Sequence, residues 1–169
     1  MKIGPALRPA LVSIQPQTAG AYSTDASLFT YQVIKETMRL YPPAGGMIRQ
    51  PLHDIELGGY RIPKGSNLAI STYAMQRDPE LLPDPLRFDP ERFSPENEGK
   101  IPKYAYLPFG GGPRICIGNS FAMMEARLAL ITILQKWDLS VAPGQKVRAE
   151  QLFTTRPKGG KLWMNVYRA

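Results

Sequence analysis

The stretch with the most chemical potential in this chain is Phe109-Gly110-Gly111-Gly112-Pro113-Arg114-Ile115-Cys116-Ile117-Gly118. It holds the only cysteine among 169 residues, so neither an internal disulfide nor a multi-cysteine zinc site is available. The glycines allow the backbone to turn tightly and to approach a flat ligand closely. An apolar helical pattern begins directly after Cys116, which puts the sulfur just ahead of a helix amino terminus. Unpaired N–H groups and a partial positive charge there favour thiolate over thiol, and Arg114 adds further positive charge. Glycine on both sides leaves room for backbone N–H groups to hydrogen-bond the sulfur. Taken alone, such a loop is equally well a tight turn before a core helix.

The elements that must hold this loop can be read from periodicity. From Leu28 to Leu40 the pattern is helical, with Tyr31, Ile34, Met38 and Tyr41 on one face. Pro42-Pro43 ends it, because the residue before a proline is pushed out of the helical region. Alternation on either side of Gly58-Gly59 predicts a small hairpin, and Asn67 to Thr72 one more strand. Residues 73–82 read as short helical turns. Residues 83–113 lack a sustained period, and long ordered loops are usually functional. A strong helix runs from about Ile117 to Lys136 and is apolar on nearly all sides, a pattern that belongs in the interior of a large protein. The tail offers strands at Trp137 to Val141, Gln151 to Thr155 and Leu162 to Tyr167, with a turn at Pro157-Lys158-Gly159-Gly160.

Residues 109–118 match Phe-x-x-Gly-x-Arg-x-Cys-x-Gly at every fixed position, and this signature resembles the haem-binding motif of the cytochrome P450 family. Two more stretches agree in order. Glu36-Thr37-Met38-Arg39 is similar to the family's helical Glu-x-x-Arg, and Phe88-Asp89-Pro90-Glu91-Arg92-Phe93 to the stretch that supplies a second arginine. The resemblance implies an α+β fold, mainly α, namely the carboxy-terminal part of the cytochrome P450 fold. It runs over residues 28–169, while residues 1–27 form a leader without family likeness and are expected to be disordered.

Site roles follow from that resemblance. Cys116 is implied as the iron ligand of a haem b, because a thiolate donates electron density that favours O–O cleavage. Phe109 is implied to pack on the porphyrin, with Gly110, Gly112 and Gly118 forming the cradle of the sulfur. Arg114 and Arg49 are implied partners of the haem propionates, since a guanidinium fork matches a carboxylate at two points. Glu36, Arg39 and Arg92 are implied to form a structural triad that locks the loop. Helical phase alone places Glu36 and Arg39 opposite the Tyr31/Ile34/Met38 face and predicts that they are exposed. His53, the single histidine, reads as a solvated loop residue.

The net charge of +7 is carried by scattered basic residues without a dense run, so nucleic-acid binding is not expected. No apolar run is long enough to span a bilayer and no secretory signal is visible, which makes a cytoplasmic protein the expectation. The resemblance implies a haem-thiolate monooxygenase acting on a small organic substrate. Its electrons would come from a ferredoxin, flavodoxin or reductase type of partner. Family members carry an amino-terminal portion, with the oxygen-handling helix, that is missing here. A truncated gene, or a partner half on another chain, is therefore expected. For this chain by itself the alternative is a non-catalytic haem-binding fragment or an inert truncated remnant.

Overall fold

Pro42 and Pro43 do end the first helix, and the chain then turns through a short strand before the hairpin. The computed structural model describes residues 25–152 and 154–168; of the expected leader, residues 1–27, only 25–27 are described, and these belong to the first helix, which starts earlier than Leu28. Helix α1 spans Asp25–Leu40, with Arg39 in its last turn. Strand β1, Met47–Arg49, pairs antiparallel with β4, Leu68–Ile70. Between them β2, Ile55–Leu57, and β3, Tyr60–Ile62, form the hairpin around Gly58-Gly59, both of which take positive φ.

The expected strand at residues 67–72 is shorter than read. Thr72 belongs instead to helix α2, Thr72–Met75, which Ser71 caps by accepting the Ala74 N–H. Capping of this kind satisfies a donor that has no partner within the helix. The irregular stretch contains only short 3₁₀ turns, among them Pro90–Phe93 and Gly112–Arg114. Helix α3, Asn119–Lys136, follows with Gly118 at its amino cap.

Strand β5, Trp137–Val141, pairs with β8, Met164–Arg168. The strand expected from Gln151 to Thr155 is divided: Gln151 ends β6, Ala149–Gln151, and Thr155 begins its antiparallel partner β7, Thr155–Pro157, so the chain turns back between them. Thr155 at that turn donates its backbone N–H to Pro43 O at 2.9 Å, so tertiary anchoring overrides the β-propensity of the run.

The first helix also presents a different face from the one its apolar residues predict. Thr30, Gln32, Glu36, Arg39 and Leu40 are buried, whereas Tyr41 is 49% exposed. Phe29 and Val33 pack against Ile131 and Leu134 of α3, the small apolar core shared by the two helices. Helical phase alone predicts exposure for Glu36 and Arg39, whereas both are fully buried against the irregular stretch, where the resemblance places them. Periodicity counts apolar residues and cannot see a polar group whose every donor and acceptor is matched.

Candidate functional site

Arg39 shows how a fully buried charge is accommodated. Its Nε donates to Glu36 Oε2 at 2.7 Å and its Nη2 to Oε1 at 2.8 Å. Nη1 donates to Gln76 O at 2.7 Å and Pro85 O at 2.6 Å, and Nη2 also reaches Arg87 O at 3.1 Å. All the N–H groups of the guanidinium are therefore used. Glu36 Oε1 accepts a further bond from the Asp89 N–H at 2.8 Å. Arg92 joins from the side of the irregular stretch, with its Nε 3.6 Å from Glu36 Oε1 and its Nη2 donating to Asp84 O at 2.7 Å. Glu36, Arg39 and Arg92 thus meet, and they tie α1 to backbone carbonyls at three points between residues 76 and 87.

The chain also forms an open cavity of about 340 Å³. Its lining includes Met47, Arg49, Phe109, Gly110, Arg114 and Cys116. The strand β1 brings Arg49 to the rim, where its Nη1 donates to Ile48 O at 2.9 Å. The Cys116 backbone N–H donates to Phe109 O at 2.9 Å, which folds the glycine-rich segment back on itself. Gly110 takes φ +78°, and a side chain there would meet Met47 Cε at 3.5 Å. Left-handed backbone of this kind favours glycine.

The structure therefore gathers Cys116, Phe109, Gly110, Arg114 and Arg49 around one cavity, although Arg49 lies far from the others in sequence. Gly118 stands behind the sulfur, where a Cβ would lie 3.9 Å from Sγ. Gly112, at φ +71°, opens the turn that carries Arg114 and is not part of the cavity lining. His53 is exposed. Cys116 is a free thiol and exposed, as are Ile115 and Ile117 on either side of it.

One residue of the site region carries no signal in the sequence. Gln76, inside the run read as short turns, is completely buried and bonds to both α1 and Leu107. Only its pairing with residues distant in the chain sets it apart.

The donor set suits a haem. A free sulfur faces an open apolar surface that includes Phe109, and two guanidiniums stand at the same cavity to meet carboxylates. Among the described residues no group of three or more His, Cys, Asp and Glu could hold a metal ion.

Comparison with known proteins points the same way. Residues 26–164 match the family model described as Cytochrome P450. The chain is 46% identical over 120 residues to cyclooctatin synthase of Streptomyces melanosporofaciens, covering 71% of this chain and 26% of that protein. It is 53% identical over 105 residues to cytochrome P450 3A2 of Rattus norvegicus, covering 62% and 21%. The chain thus spans about a quarter or less of the curated relatives it matches. Among solved structures, a retinoic acid-bound cyanobacterial CYP120A1 superposes with a TM-score of 0.84 at 32% identity, covering 97% of this chain and 38% of that one. A cytochrome P450DA heme domain superposes with a TM-score of 0.77 at 33% identity, covering 83% and 30%.

Proposed function

This chain belongs to the cytochrome P450 family, and from that premise we propose that it forms the iron-ligating side of a haem-thiolate monooxygenase. The observation that carries the reading is the meeting of Cys116, Phe109, Arg114 and Arg49 at one open cavity. When bound, the haem b that this family uses would supply the activation of O₂, from which one oxygen atom passes to an organic substrate.

The residues divide the work as follows. Cys116 would supply the sulfur ligand from its place just ahead of the amino cap of α3. Arg114 and Arg49 would hold the propionates by charge-assisted hydrogen bonds. Phe109 would cover the ring near the sulfur and keep water from it. Gly110 would let the backbone approach a bound haem closely, and Gly112 sets the turn that carries Arg114. Gly118 lies beside the sulfur, within ordinary contact distance of it. Glu36, Arg39 and Arg92 hold the surrounding backbone and touch neither iron nor substrate. A small, mainly apolar organic substrate and an electron-transfer protein of ferredoxin, flavodoxin or reductase type complete the proposed cycle, with the net charge of +7 suited to an acidic donor.

The test is the optical spectrum of the full chain with haem, reduced and exposed to carbon monoxide, beside Cys116→Ala. A thiolate-type carbon monoxide band that disappears in the variant supports the proposal. A spectrum indifferent to Cys116 would sink it.

A second reading, haem binding without turnover, is favoured by the open surroundings of the sulfur: Ile115 is 50% exposed and Ile117 entirely so. Substrate oxidation assayed with a competent reductase separates the two readings.

A further inference from the structure

Gln76 closes α2 as its carboxy cap, donating its backbone N–H to Thr72 O at 3.0 Å. Its side chain lies wholly out of solvent. The carboxamide Nε2 donates to Arg39 O at 2.9 Å and to Met38 O at 3.2 Å. Both carbonyls lie in the last turn of α1, where no further helical N–H remains to bond them. On the other side Oε1 accepts the Leu107 N–H at 2.8 Å. The backbone carbonyl of Gln76 takes one of the Arg39 Nη1 hydrogen bonds. A single residue thus joins three things: its side chain ties the end of α1 to the backbone that leads to the cysteine, and its carbonyl meets the Glu36–Arg39 cluster.

The path from Leu107 to the sulfur is short and stiff. Leu107 is followed by Pro108, whose ring fixes φ, and then by Phe109. Leu107 O accepts the Gly110 N–H at 3.1 Å, and Phe109 O accepts the Cys116 N–H at 2.9 Å. Fixing the Leu107 amide therefore fixes the carbonyl to which Cys116 is tied. Leu107, Pro108 and Phe109 all line the cavity that holds Cys116, whereas Gln76 does not.

We propose that Gln76 is a positioning residue, which transmits the rigidity of the Glu36–Arg39 cluster through Leu107 to the Cys116 segment and so sets where the sulfur stands. The inference rests on the reading of Cys116 as the iron ligand. Only a carboxamide on a two-methylene stem meets the need here, because the site asks for two donors and one acceptor at once. Glutamate has the same shape but, ionised, no donor, so it would turn a carboxylate toward the Arg39 and Met38 carbonyls. Methionine fits the volume and leaves all three groups unbonded, a costly arrangement in the interior.

The experiment is residue-resolved amide hydrogen exchange on the full-length chain without haem, as the unmodified protein, Gln76→Glu and Leu82→Ala. Leu82 is buried and has no bond to Leu107, so its truncation loosens the fold without touching the link. In the unmodified chain the Leu107 and Cys116 amides are expected to be protected. In Gln76→Glu their exchange is expected to rise by about tenfold or more, while the Ile131 and Leu134 amides of α3 stay within about twofold. Leu82→Ala should not reproduce that pattern. With haem added, Gln76→Glu should shift the carbon monoxide band away from its thiolate position, and Leu82→Ala should not.

A Leu107 amide that exchanges in the unmodified chain as fast as that of exposed Ile117 would overturn the proposal, and this measurement decides even if Gln76→Glu does not fold. So would acceleration spread evenly over Leu107, Cys116, Ile131 and Leu134, since that reports only lost stability. Failure of the unmodified chain to take up haem is a separate outcome. It would overturn the assignment of Cys116 as ligand, with the exchange pattern still deciding whether Gln76 positions the segment.

Discussion

Arg39 grips both carboxylate oxygens of Glu36, at 2.7 and 2.8 Å, from one turn along the same helix, and neither side chain reaches solvent. A pair at this spacing on a helix surface contributes only a few tenths of a kcal/mol. Here the pair is inside, so removing one member leaves a buried charge without its partner. The cost of that is set by desolvation and not by the attraction between the two groups.

Glu36→Gln is accordingly expected to destabilise the chain by about 3–5 kcal/mol. Arg39 and Arg92 would then face a neutral amide. Glu98→Gln provides the contrast: Glu98 pairs with Lys35 at the surface, its side chain is 46% exposed, and the change should cost about 1 kcal/mol or less. Urea unfolding of the two variants checks the difference. Equal losses would mean that the Glu36 pair is energetically a surface pair.

Gly46→Ala should be far worse than Gly99→Ala. A Cβ at Gly46 would stand 2.7 Å from the Ile70 carbonyl oxygen, which belongs to the paired strand β4 and has little freedom to move. An alanine at Gly99 meets nothing within 4 Å. The expected cost at Gly46 is about 1–3 kcal/mol, as for other overpacked sites, against little change at Gly99. Because β1 also carries Arg49 to the cavity, Gly46→Ala should weaken haem retention. Thermal unfolding and haem titration of both variants test this.

Tyr106 should resist ionisation. Burial pushes its phenol well above the ordinary value of 10.0, and neighbouring Tyr31, Glu98 and Glu36 add to the effect. A folded-state value that is raised means a contribution fully present below pH 10 and lost as the pH climbs above it, because the unfolded chain ionises first. Ultraviolet titration of the 8 tyrosines should therefore show one that ionises only together with unfolding. In Tyr106→Phe that step should vanish. The same change removes the bond from the Tyr106 hydroxyl to Lys35 O, for a loss of about 0.5–1.5 kcal/mol near neutral pH.

The chain in isolation should self-associate through α3. Phe121 is 65% exposed, and Met124 and Leu128 lie exposed on the turns that follow, beside a cavity lined by Met124, Leu128 and Ile131. Apolar groups gathered in this way favour association. Phe121→Lys with Leu128→Lys should shift sedimentation toward the monomer without lowering the thermal midpoint by more than a few degrees, since neither side chain is buried. An unchanged mass distribution would rule this face out as the contact.

What the sequence determined by itself was whatever a contiguous run of residues can specify. The glycine-rich run ending in Cys116, the turn at Gly58-Gly59, the stop at Pro42-Pro43 and helix α3 all depend on local backbone preferences, and each lies within one or two residues of where the pattern places it. The tertiary structure alone decided which side of α1 is buried, because the depth of Glu36 and Arg39 depends on carbonyls supplied by Gln76, Pro85 and Arg87. It likewise decided that Gln151 and Thr155 fall in two paired strands, with Thr155 bonded to Pro43, and that Arg49 shares a cavity with Cys116. Gln76 is the extreme case, a side chain with no local signal whose partners lie in two other segments. Hydrophobic periodicity reports which residues avoid water, and it is silent about polar groups whose partners are brought to them only when distant segments fold together.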